Sequence, residues 1–405
     1  MNVLRNKNYT ILLIGQLVST YGNNLYTLAL PWYIYTITNS KSDLTIVGLA
    51  DYIPALAGFF AGVLVDRWHK KTIMIASDLI RTLLALSISL VVSFHHNFMI
   101  IFGLALLIQL TGSFFTPASS ALTPLLVSED DLPKAMGITQ ATNGAVQLIG
   151  MTSGGSLLAI FKASRLFLID SATFVISVIS LLLIQVYEHL QTPQEHSNYL
   201  KEWSHGIRIL IKSRSMLQIF LGGLISNFGL APAIIVLTAW IKGPMGAKST
   251  AFGIIAASMI IGLILGGILL GAISRLLSTK HILQVGLMVL GICLSFIAIW
   301  PNTYWCMGMI LLGGFAISCL NGALRILLVK IVPQTMRGRI FSMFNGLMIL
   351  ASPVGIAVFG ALMVIIPLWA VWVTMGSIIV LGGMSYFIRV RDDLHELMNT
   401  ITELN

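Results

Sequence analysis

Charge is scarce in this chain of 405 residues, because Asp, Glu, Lys and Arg together make up only 10% of it. Soluble globular proteins carry about 25% of these residues. Hydrophobic residues make up 57% of the chain. That content fills about eleven or twelve membrane spans of roughly 20 residues each. The composition therefore excludes a soluble enzyme, a disordered protein and a coiled coil, and it predicts a polytopic membrane protein.

Cysteine is rarer still, since the chain has only Cys293, Cys306 and Cys319, all in apolar segments. Neither these residues nor the histidines and acids have the spacing of metal ligands. The sequence has no phosphate-binding Gly-x-x-x-x-Gly-Lys-Ser/Thr loop. The net charge is +9, but no basic stripe suits nucleic acid. We therefore expect no metal, no cofactor, no nucleic-acid partner and no enzymatic activity.

Long apolar runs between polar breaks predict twelve membrane spans. These runs lack the ten-residue alternation of a barrel, so we expect an all-α fold, in which every backbone polar group is satisfied within its own helix. The predicted spans lie near residues 9–35, 44–65, 73–93, 98–120, 135–160, 166–186, 216–240, 251–274, 281–300, 304–328, 340–365 and 368–388.

The distribution of Lys and Arg predicts the orientation, because cytoplasmic loops carry an excess of these residues. With both termini inside, the cytoplasmic segments hold 17 of them and the outer loops hold five. We therefore expect a multi-pass protein of the cell membrane with cytoplasmic N- and C-termini.

An internal repeat divides the chain in two. A shift of 202 residues aligns residues 119–146 with residues 321–348 and places Asn143-Gly144 on Asn345-Gly346. Two parallel, pseudo-symmetric six-helix halves are the architecture of a rocker-type secondary transporter, whose binding site lies where the halves meet.

The predicted boundaries of the halves follow from the longest hydrophilic stretch. We expect an N-terminal half over residues 1–186 and a cytoplasmic linker over residues 187–215. The linker has the spacing of an amphipathic helix on the membrane surface. The C-terminal half, over residues 216–405, ends in a short cytoplasmic tail.

The segment that closes the second span contains Gly62, Asp66, Arg67, Lys70 and Lys71 at the spacing Gly-x-x-x-Asp-Arg-x-x-Lys-Lys. This resembles the cytoplasmic loop signature of the major facilitator superfamily. The resemblance implies a cytoplasmic gate, in which the aspartate holds the two halves together by contact with a helix N-terminus.

Asp78 and Arg81 extend this predicted gate. They lie three residues apart on one face of the third span, so they can pair with each other and with the loop.

Several stretches in both halves resemble one branch of the superfamily, the twelve-helix drug:proton antiporters that include macrolide-efflux and enterobactin-export proteins. The stretches are residues 16–24 with 31–32, 117–124, 168–174 and 332–339. The resemblance implies proton-coupled efflux of amphiphilic or cationic drugs, such as macrolide-like compounds, by alternating access. The implied partners are a small amphiphilic substrate, protons and the lipid bilayer, and we expect a monomer.

Two features depart from this branch. Span five carries Gly150, Gly154 and Gly155, but Met151 stands where the antiporter signature has proline. The glycine face is therefore kept, whereas the kink attributed to that motif is in doubt. Asn23 stands where relatives often have an acid, which removes one potential proton carrier.

Acids within spans are costly unless they are paired or functional. Asp51 lies seven residues into the second predicted span, with no Lys or Arg within four residues. We predict that it couples transport to protons or balances a cationic substrate; the alternative is a solvated acid at the cavity mouth. Asp170, in span six, is a second proton-coupling candidate, although its position favours a structural hydrogen-bonding or interfacial role.

Amides and aromatic residues on spans one, five and seven suit a large amphiphilic ligand with little charge. They could instead hydrogen-bond between helices. These candidates for the substrate cavity are Gln16, Asn23, Asn24, Tyr26, Asn143, Gln147, Asn227 and Phe228.

The sequence is also compatible with other functions. The same fold could export one defined metabolite, such as a siderophore or a lipid-like molecule. A channel and a non-transporting membrane sensor explain neither the repeat nor the loop signature.

Overall fold

The computed structural model describes residues 3–52, 68–94, 97–186, 214–331 and 337–385. Within these ranges every regular element is a helix. After a 3-10 turn at Val3–Arg5 there are thirteen α-helices: α1 (Lys7–Thr38), α2 (Lys41–Ala50), α3 (Lys70–Phe94), α4 (Phe98–Leu126), α5 (Leu132–Ile160), α6 (Ala163–Leu183), α7 (Arg214–Leu230), α8 (Ala233–Lys242), α9 (Ser249–Leu276), α10 (Thr279–Ile297), α11 (Thr303–Ile331), α12 (Arg337–Ile365) and α13 (Leu368–Ser385).

Seven segments of the described residues are long and apolar enough to cross a membrane, and two shorter apolar helices, Leu350–Ile365 and Leu368–Met384, follow them. Ten of the twelve predicted spans coincide with one continuous helix. For the second span only the part up to Ala50 is described as helix. These helices confirm the all-α membrane fold.

The seventh predicted span is not one helix. It is built from α7 and α8, with a turn at Ala231 and Pro232 between them. Proline has no backbone N–H, and its ring clashes with the carbonyl four residues earlier, so it tends to end a helix. Pro232 then caps the start of α8. The predicted span is confirmed as one apolar segment, Leu217–Lys242, whose helix is interrupted by this turn.

The helix bounds also correct the register of the repeat. Helices α4, α5 and α6 begin 205 residues before α11, α12 and α13, respectively, and the first two pairs have 29 residues in each member. The 202-residue shift therefore misplaces the second half by three residues, almost one helical turn. Asn143 and Asn345 lie at different heights in their helices, so the Asn-Gly match does not mark equivalent positions.

The chain divides into two compact units. The N-terminal unit comprises Met1–Pro193 and Ala247–Ala257, so it includes the first turns of α9. The C-terminal unit comprises Gln194–Gly246 and Ser258–Asn405. The predicted boundaries at residues 186 and 216 stay a prediction.

In the N-terminal unit, α1 packs closely against α6. A methyl group added at Gly22 would lie 2.6 Å from Oδ1 of Asp170 and 3.1 Å from its Cα. Small residues at such positions let helix backbones approach each other. This contact sets the depth at which Asp170 faces α1.

The three glycines of the predicted motif are buried along α5. Added methyl groups would lie 2.7 Å from Cβ of Asn24 for Gly150, and 3.1 Å from Cδ2 of Leu25 for Gly154. Helix α5 runs without a break through Met151, as expected where the proline of the signature is missing. Gly150 and Gly154 therefore serve close packing against α1.

Gly155 faces the start of α9. A methyl group there would lie 2.7 Å from Cα of Gly253. The Ser249 hydroxyl donates a hydrogen bond of 3.1 Å to the Gly155 carbonyl. The rings of Trp32 and Phe252 stack beside this contact, with centroids 6.2 Å apart. The first turns of α9 are thus fixed onto α1 and α5.

We expect Gly155→Ala to lower the stability of the purified protein by about 1–3 kcal/mol, because the added methyl overpacks a backbone contact. Gly144→Ala on the same helix is the control, since a methyl there meets nothing within 4 Å. It should leave stability unchanged or raise it slightly. Thermal unfolding in detergent measures both, and equal melting temperatures for the two variants would contradict the packing.

Candidate functional site

A polar cavity of about 580 Å³ lies inside the N-terminal unit. Its wall is built from α1, α3, α4 and α5 and consists mainly of hydroxyl and amide side chains. Among the described residues that line it, Arg81 is the one charged side chain. The aromatic rings of Tyr26 and Phe115 add apolar surface. Such a wall can hold a ligand that combines apolar surface with many hydrogen-bonding groups.

Four of the predicted cavity residues line this cavity: Gln16, Asn23 and Tyr26 from α1, and Asn143 from α5. The Gln16 amide donates to the Ser119 hydroxyl at 2.6 Å. Among the described residues, Oδ1 of Asn143 and the hydroxyl of Tyr26 have no hydrogen-bond partner. Both atoms are buried, so they are polar groups that the described residues leave unsatisfied behind the wall.

Two other candidates on the same helices do not line the cavity. Asn24 follows Asn23 but points about 100° away around the helix. It is buried, donates to the Thr20 carbonyl at 2.8 Å and packs on Gly150. Gln147 lies one turn beyond Asn143, past the end of the α5 wall. Their prediction as lining residues is corrected for this cavity.

The two candidates from span seven lie in the C-terminal unit. Asn227 lines a separate cavity there of about 130 Å³. Phe228 instead packs its ring against Phe359, with centroids 5.4 Å apart. Phe228 is thus a packing residue within that unit.

Arg81, which the sequence assigned to the predicted cytoplasmic gate, lies in the cavity wall. Its Nη2 donates to Oδ1 of Asn23 at 2.7 Å, and its Nη1 lies 3.4 Å from Oδ1 of Asp78. Its Cζ lies over the ring of Phe174 at 4.1 Å from the centroid. The predicted Asp78–Arg81 pair is confirmed, but the second partner described for the guanidinium is Asn23 in the cavity wall.

A signal for this position was present in the sequence. Arg81 lies eleven residues beyond Lys70, where α3 begins, so it lies about 16 Å along the helix at 1.5 Å per residue. A charged residue that deep in a span is rarely an interfacial anchor and marks a functional site by default.

Asp170 lies on α6 and is fully buried. Neither of its carboxyl oxygens has a hydrogen-bond partner among the described residues. The described residues thus supply no partner for the predicted structural hydrogen-bonding role, which stays a prediction. Arg81 interacts electrostatically with Asp170 as well as with Asp78, and Asp78 is the one of the two acids described within ion-pair distance of the guanidinium.

Asp51 directly follows α2, and the residue is exposed. It accepts a hydrogen bond of 2.5 Å from Nε2 of Gln109. Gln109 is part of the cavity wall. Asp51 is therefore one hydrogen bond away from the cavity.

The predicted cytoplasmic gate falls partly outside the described residues, which do not include Gly62, Asp66 and Arg67. Lys70 begins α3. The ammonium group of Lys71 donates to the Ile184 carbonyl at 2.7 Å. Lys71 thus satisfies a backbone carbonyl at the C-terminal end of α6, where a cation is favoured.

Among the described residues, no group of three or more His, Cys, Asp or Glu side chains could hold a metal ion. The chemistry of the cavity therefore rests on amides, hydroxyls, one guanidinium and nearby carboxyls.

Comparison with known proteins places the chain in a family. A family model described as Major Facilitator Superfamily matches residues 12–237, which is more than half of the chain. The chain belongs to the Major Facilitator Superfamily. Members of the superfamily are transporters, so the protein is a multi-pass membrane transporter and not an enzyme.

Several curated relatives within the superfamily are efflux proteins. The chain is 26% identical to macrolide efflux protein A of Streptococcus pyogenes, over 86% of this chain and 87% of that protein. It is 25% identical to the enterobactin exporter EntS of Escherichia coli, over 86% and 83%. It is 22% identical to the multidrug efflux pump Tap of Mycolicibacterium fortuitum, over 94% and 96%.

Solved structures agree on the fold. The nucleoside transporter NupG superimposes with a TM-score of 0.77 at 15% identity, over 96% of this chain and 98% of that chain. A bacterial homologue of the iron transporter ferroportin superimposes with a TM-score of 0.73 at 15% identity, over 96% and 100%. At this identity the likeness shows the superfamily's twelve-helix fold alone.

We expect Arg81→Met to destabilise the purified protein by about 3 kcal/mol at pH 8, because the buried Asp78 carboxyl loses its cation and must bind a proton to avoid an unpaired charge. The loss should be smaller at pH 5, since protonation removes the unpaired charge. Arg165→Met is the control: Arg165 is exposed and lies over the Phe161 ring at 5.4 Å. Thermal unfolding at both pH values tests this, and a pH-independent loss for Arg81→Met would contradict it.

Proposed function

We propose that the protein exports amphiphilic compounds in exchange for protons, by alternating access across the cell membrane. The proposal includes macrolide-like drugs among the substrates and places both termini in the cytoplasm. The proposed direction of transport follows from the efflux relatives, one of which is named as a macrolide efflux protein. The distribution of acidic residues supports the choice of the coupling ion.

The acidic residues of the chain are confined to a few segments, and none lies between Glu202 and Asp392. The six predicted spans of the second half therefore contain no carboxyl group. In the described part of the first half, the carboxyls in or next to the predicted spans include Asp51, Asp78 and Asp170. Carboxyl groups inside a membrane are typical proton relays. This one-sided set of acids is the observation that carries the proposal.

Asp51 is the acid proposed to exchange protons with the outer solution. It is exposed, and it bonds to Gln109 in the cavity wall. A ligand that engages the Gln109 amide would break this bond and change the cost of ionising Asp51. Substrate binding and proton binding would then compete, as antiport requires.

The cavity indicates the substrate class. No acidic side chain is among the described residues that line either cavity, so neither wall favours a permanent cation. The amides, hydroxyls and aromatic rings instead suit neutral molecules or weak bases with many hydrogen-bond acceptors.

A second candidate function is the export of one defined metabolite. The Arg81 guanidinium in the cavity wall favours it, because this group binds carboxylates and other acceptor-rich ligands strongly. The enterobactin exporter of Escherichia coli is a relative whose name gives a single substrate.

Gradient-driven uptake into proteoliposomes tests the proposal. Wild-type protein without nucleotide should accumulate radiolabelled erythromycin when a pH gradient is imposed. Asp51→Asn should reduce accumulation to the level of protein-free liposomes, because an amide cannot release a proton. Asp43→Asn, on the same helix α2, is the matched control and should transport normally.

Three results would contradict the proposal. Accumulation that requires ATP excludes the gradient as the energy source. Accumulation driven by a sodium gradient at constant pH replaces the coupling ion. Normal pH dependence in Asp51→Asn removes Asp51 from the coupling step.

The cavity wall yields a further prediction. We expect Asn143→Leu to weaken erythromycin binding about twofold to tenfold, which corresponds to the loss of one hydrogen bond. Gln147→Leu, one turn along α5, should bind normally because Gln147 does not line the cavity. Equilibrium binding with purified protein measures both, and equal losses would place the ligand elsewhere.

A further inference from the structure

Three charged side chains are buried together in the N-terminal unit. Asp78 and Asp170 are 0% exposed, and Arg81 is 6% exposed. They come from α3 and α6, which pack against each other. The net charge of this cluster depends on how many of its three groups are ionised.

The charges of this cluster do not balance when every group is ionised. Two carboxylates and one guanidinium leave one net negative charge among buried side chains. Burying an uncompensated charge is so costly that a group neutralises instead. One proton on the pair of acids makes the cluster neutral.

The contacts of these side chains also indicate that the pair of acids holds one proton. Among the described residues, both oxygens of Asp170 and Oδ2 of Asp78 have no partner. The Arg81 guanidinium lies 3.4 Å from Asp78. Charge-assisted bonds to a full carboxylate are shorter, at about 2.7–2.9 Å. The long contact fits a pair whose negative charge is shared between two acids.

The surrounding helices supply no other charge to balance the cluster. Helix α4 has no titratable side chain, and α1 contributes Tyr26, whose buried hydroxyl has no partner among the described residues. The other charged residue of α6, Arg165, lies over Phe161 near the start of that helix. Asp51, after α2, interacts electrostatically with Tyr26 and would add negative charge. The remaining charges of the described packing helices lie in their first turns, at Lys7, Lys41, Asp43, Lys70, Lys71 and Lys134.

Arg81 connects this cluster to the cavity. Its guanidinium is part of the cavity wall and donates to Asn23 at 2.7 Å. The bond to Asn23 is shorter than the contact to Asp78, so the guanidinium is drawn toward the cavity. A change in the charge of Asp78 or Asp170 would therefore change the strength of the hydrogen bond between Arg81 and Asn23.

We propose that Asp78 and Asp170 share a single proton and that Arg81 is a positioning residue that reports this proton to the cavity wall. With the proton bound, Arg81 holds Asn23. When the proton leaves to water in the cavity, the cluster gains one negative charge and draws the guanidinium inward. Asn23 is then released to bind substrate.

This inference rests on the proposed function, because it supplies a second proton site for the same antiport. It makes proton binding and substrate binding mutually exclusive at a site other than Asp51. The two sites can be tested separately, because the buried proton is observable without any substrate.

Infrared spectroscopy of the substrate-free protein in lipid nanodiscs tests the shared proton. Protonated carboxyl groups show a C=O stretch that carboxylates lack. At pH 7 we expect Asp78→Asn and Asp170→Asn each to remove one carboxyl from this band, because the remaining acid then balances Arg81. Arg81→Gln should add one carboxyl, because both acids then stay neutral.

Two controls accompany this series. Asn23→Ala changes the cavity partner of Arg81 without changing any charge, so the band should keep its amplitude. The series is also repeated in an Asp51→Asn background, where the same differences should appear. If a variant does not fold, a pH titration of the wild-type protein still reports the loss of one buried C=O band as the pH rises.

A band that does not change in Asp78→Asn, Asp170→Asn and Arg81→Gln would overturn the shared proton. A sodium-dependent loss of the band would replace the proton by a bound cation. If transport proves independent of protons while the band behaves as expected, the proposed function fails and the shared proton stands. If gradient-driven transport is observed and the band is unresponsive, the reverse holds.

The role of Arg81 as a positioning residue has its own readout. Arg81→Lys keeps the charge but loses the forked geometry that reaches Asn23 and Asp78 together. We expect it to keep the wild-type band while erythromycin binding no longer varies with pH. Retention of the wild-type pH dependence would overturn the connection to the cavity.

Discussion

The arrangement of the N-terminal unit depends on how Arg81 is kept inside a membrane-spanning helix. A guanidinium in a region of low dielectric needs acceptors and a counter-charge, and they come from different helices. Helix α1 offers the amide of Asn23, α3 offers Asp78 one turn away, and α6 offers the ring of Phe174. On the fourth side, α4 presents Gly112, where an added methyl would lie 3.7 Å from the guanidinium. The polar cavity opens at the point where these helices meet.

The two halves share their helices but not their chemistry. Helix bounds repeat at 205 residues, and Gly150 and Gly355, at that spacing, each pack a helix closely against the first helix of its own unit. The charged residues are not repeated: α13 has none, and α10 has only Lys280 near its start. Backbone packing thus follows from duplication, whereas the acids that can carry protons lie on one side.

Sequence patterns located the site more accurately by helix than by residue. Gln16, Asn23 and Tyr26 share one face of α1 and line the cavity, whereas Asn24 points to α5. One residue turns a helix by about 100°, so neighbours in sequence can face different surroundings. On α5 the cavity simply ends one turn before Gln147. The sequence pattern of α5 does not show how far the cavity extends along the helix, because the packing of four helices sets that depth.

Composition and the length of apolar runs by themselves determined a helical membrane protein and ten of its spans, because a bilayer of fixed thickness requires apolar segments of fixed length. Tertiary structure alone decided the break at Pro232, since Pro31 and Pro353 lie inside continuous helices. It also decided that Arg81 faces Asn23 and two acids rather than the membrane surface. Packing in three dimensions determines which residues of different helices contact each other. The spacing of those residues along the chain does not predict these contacts.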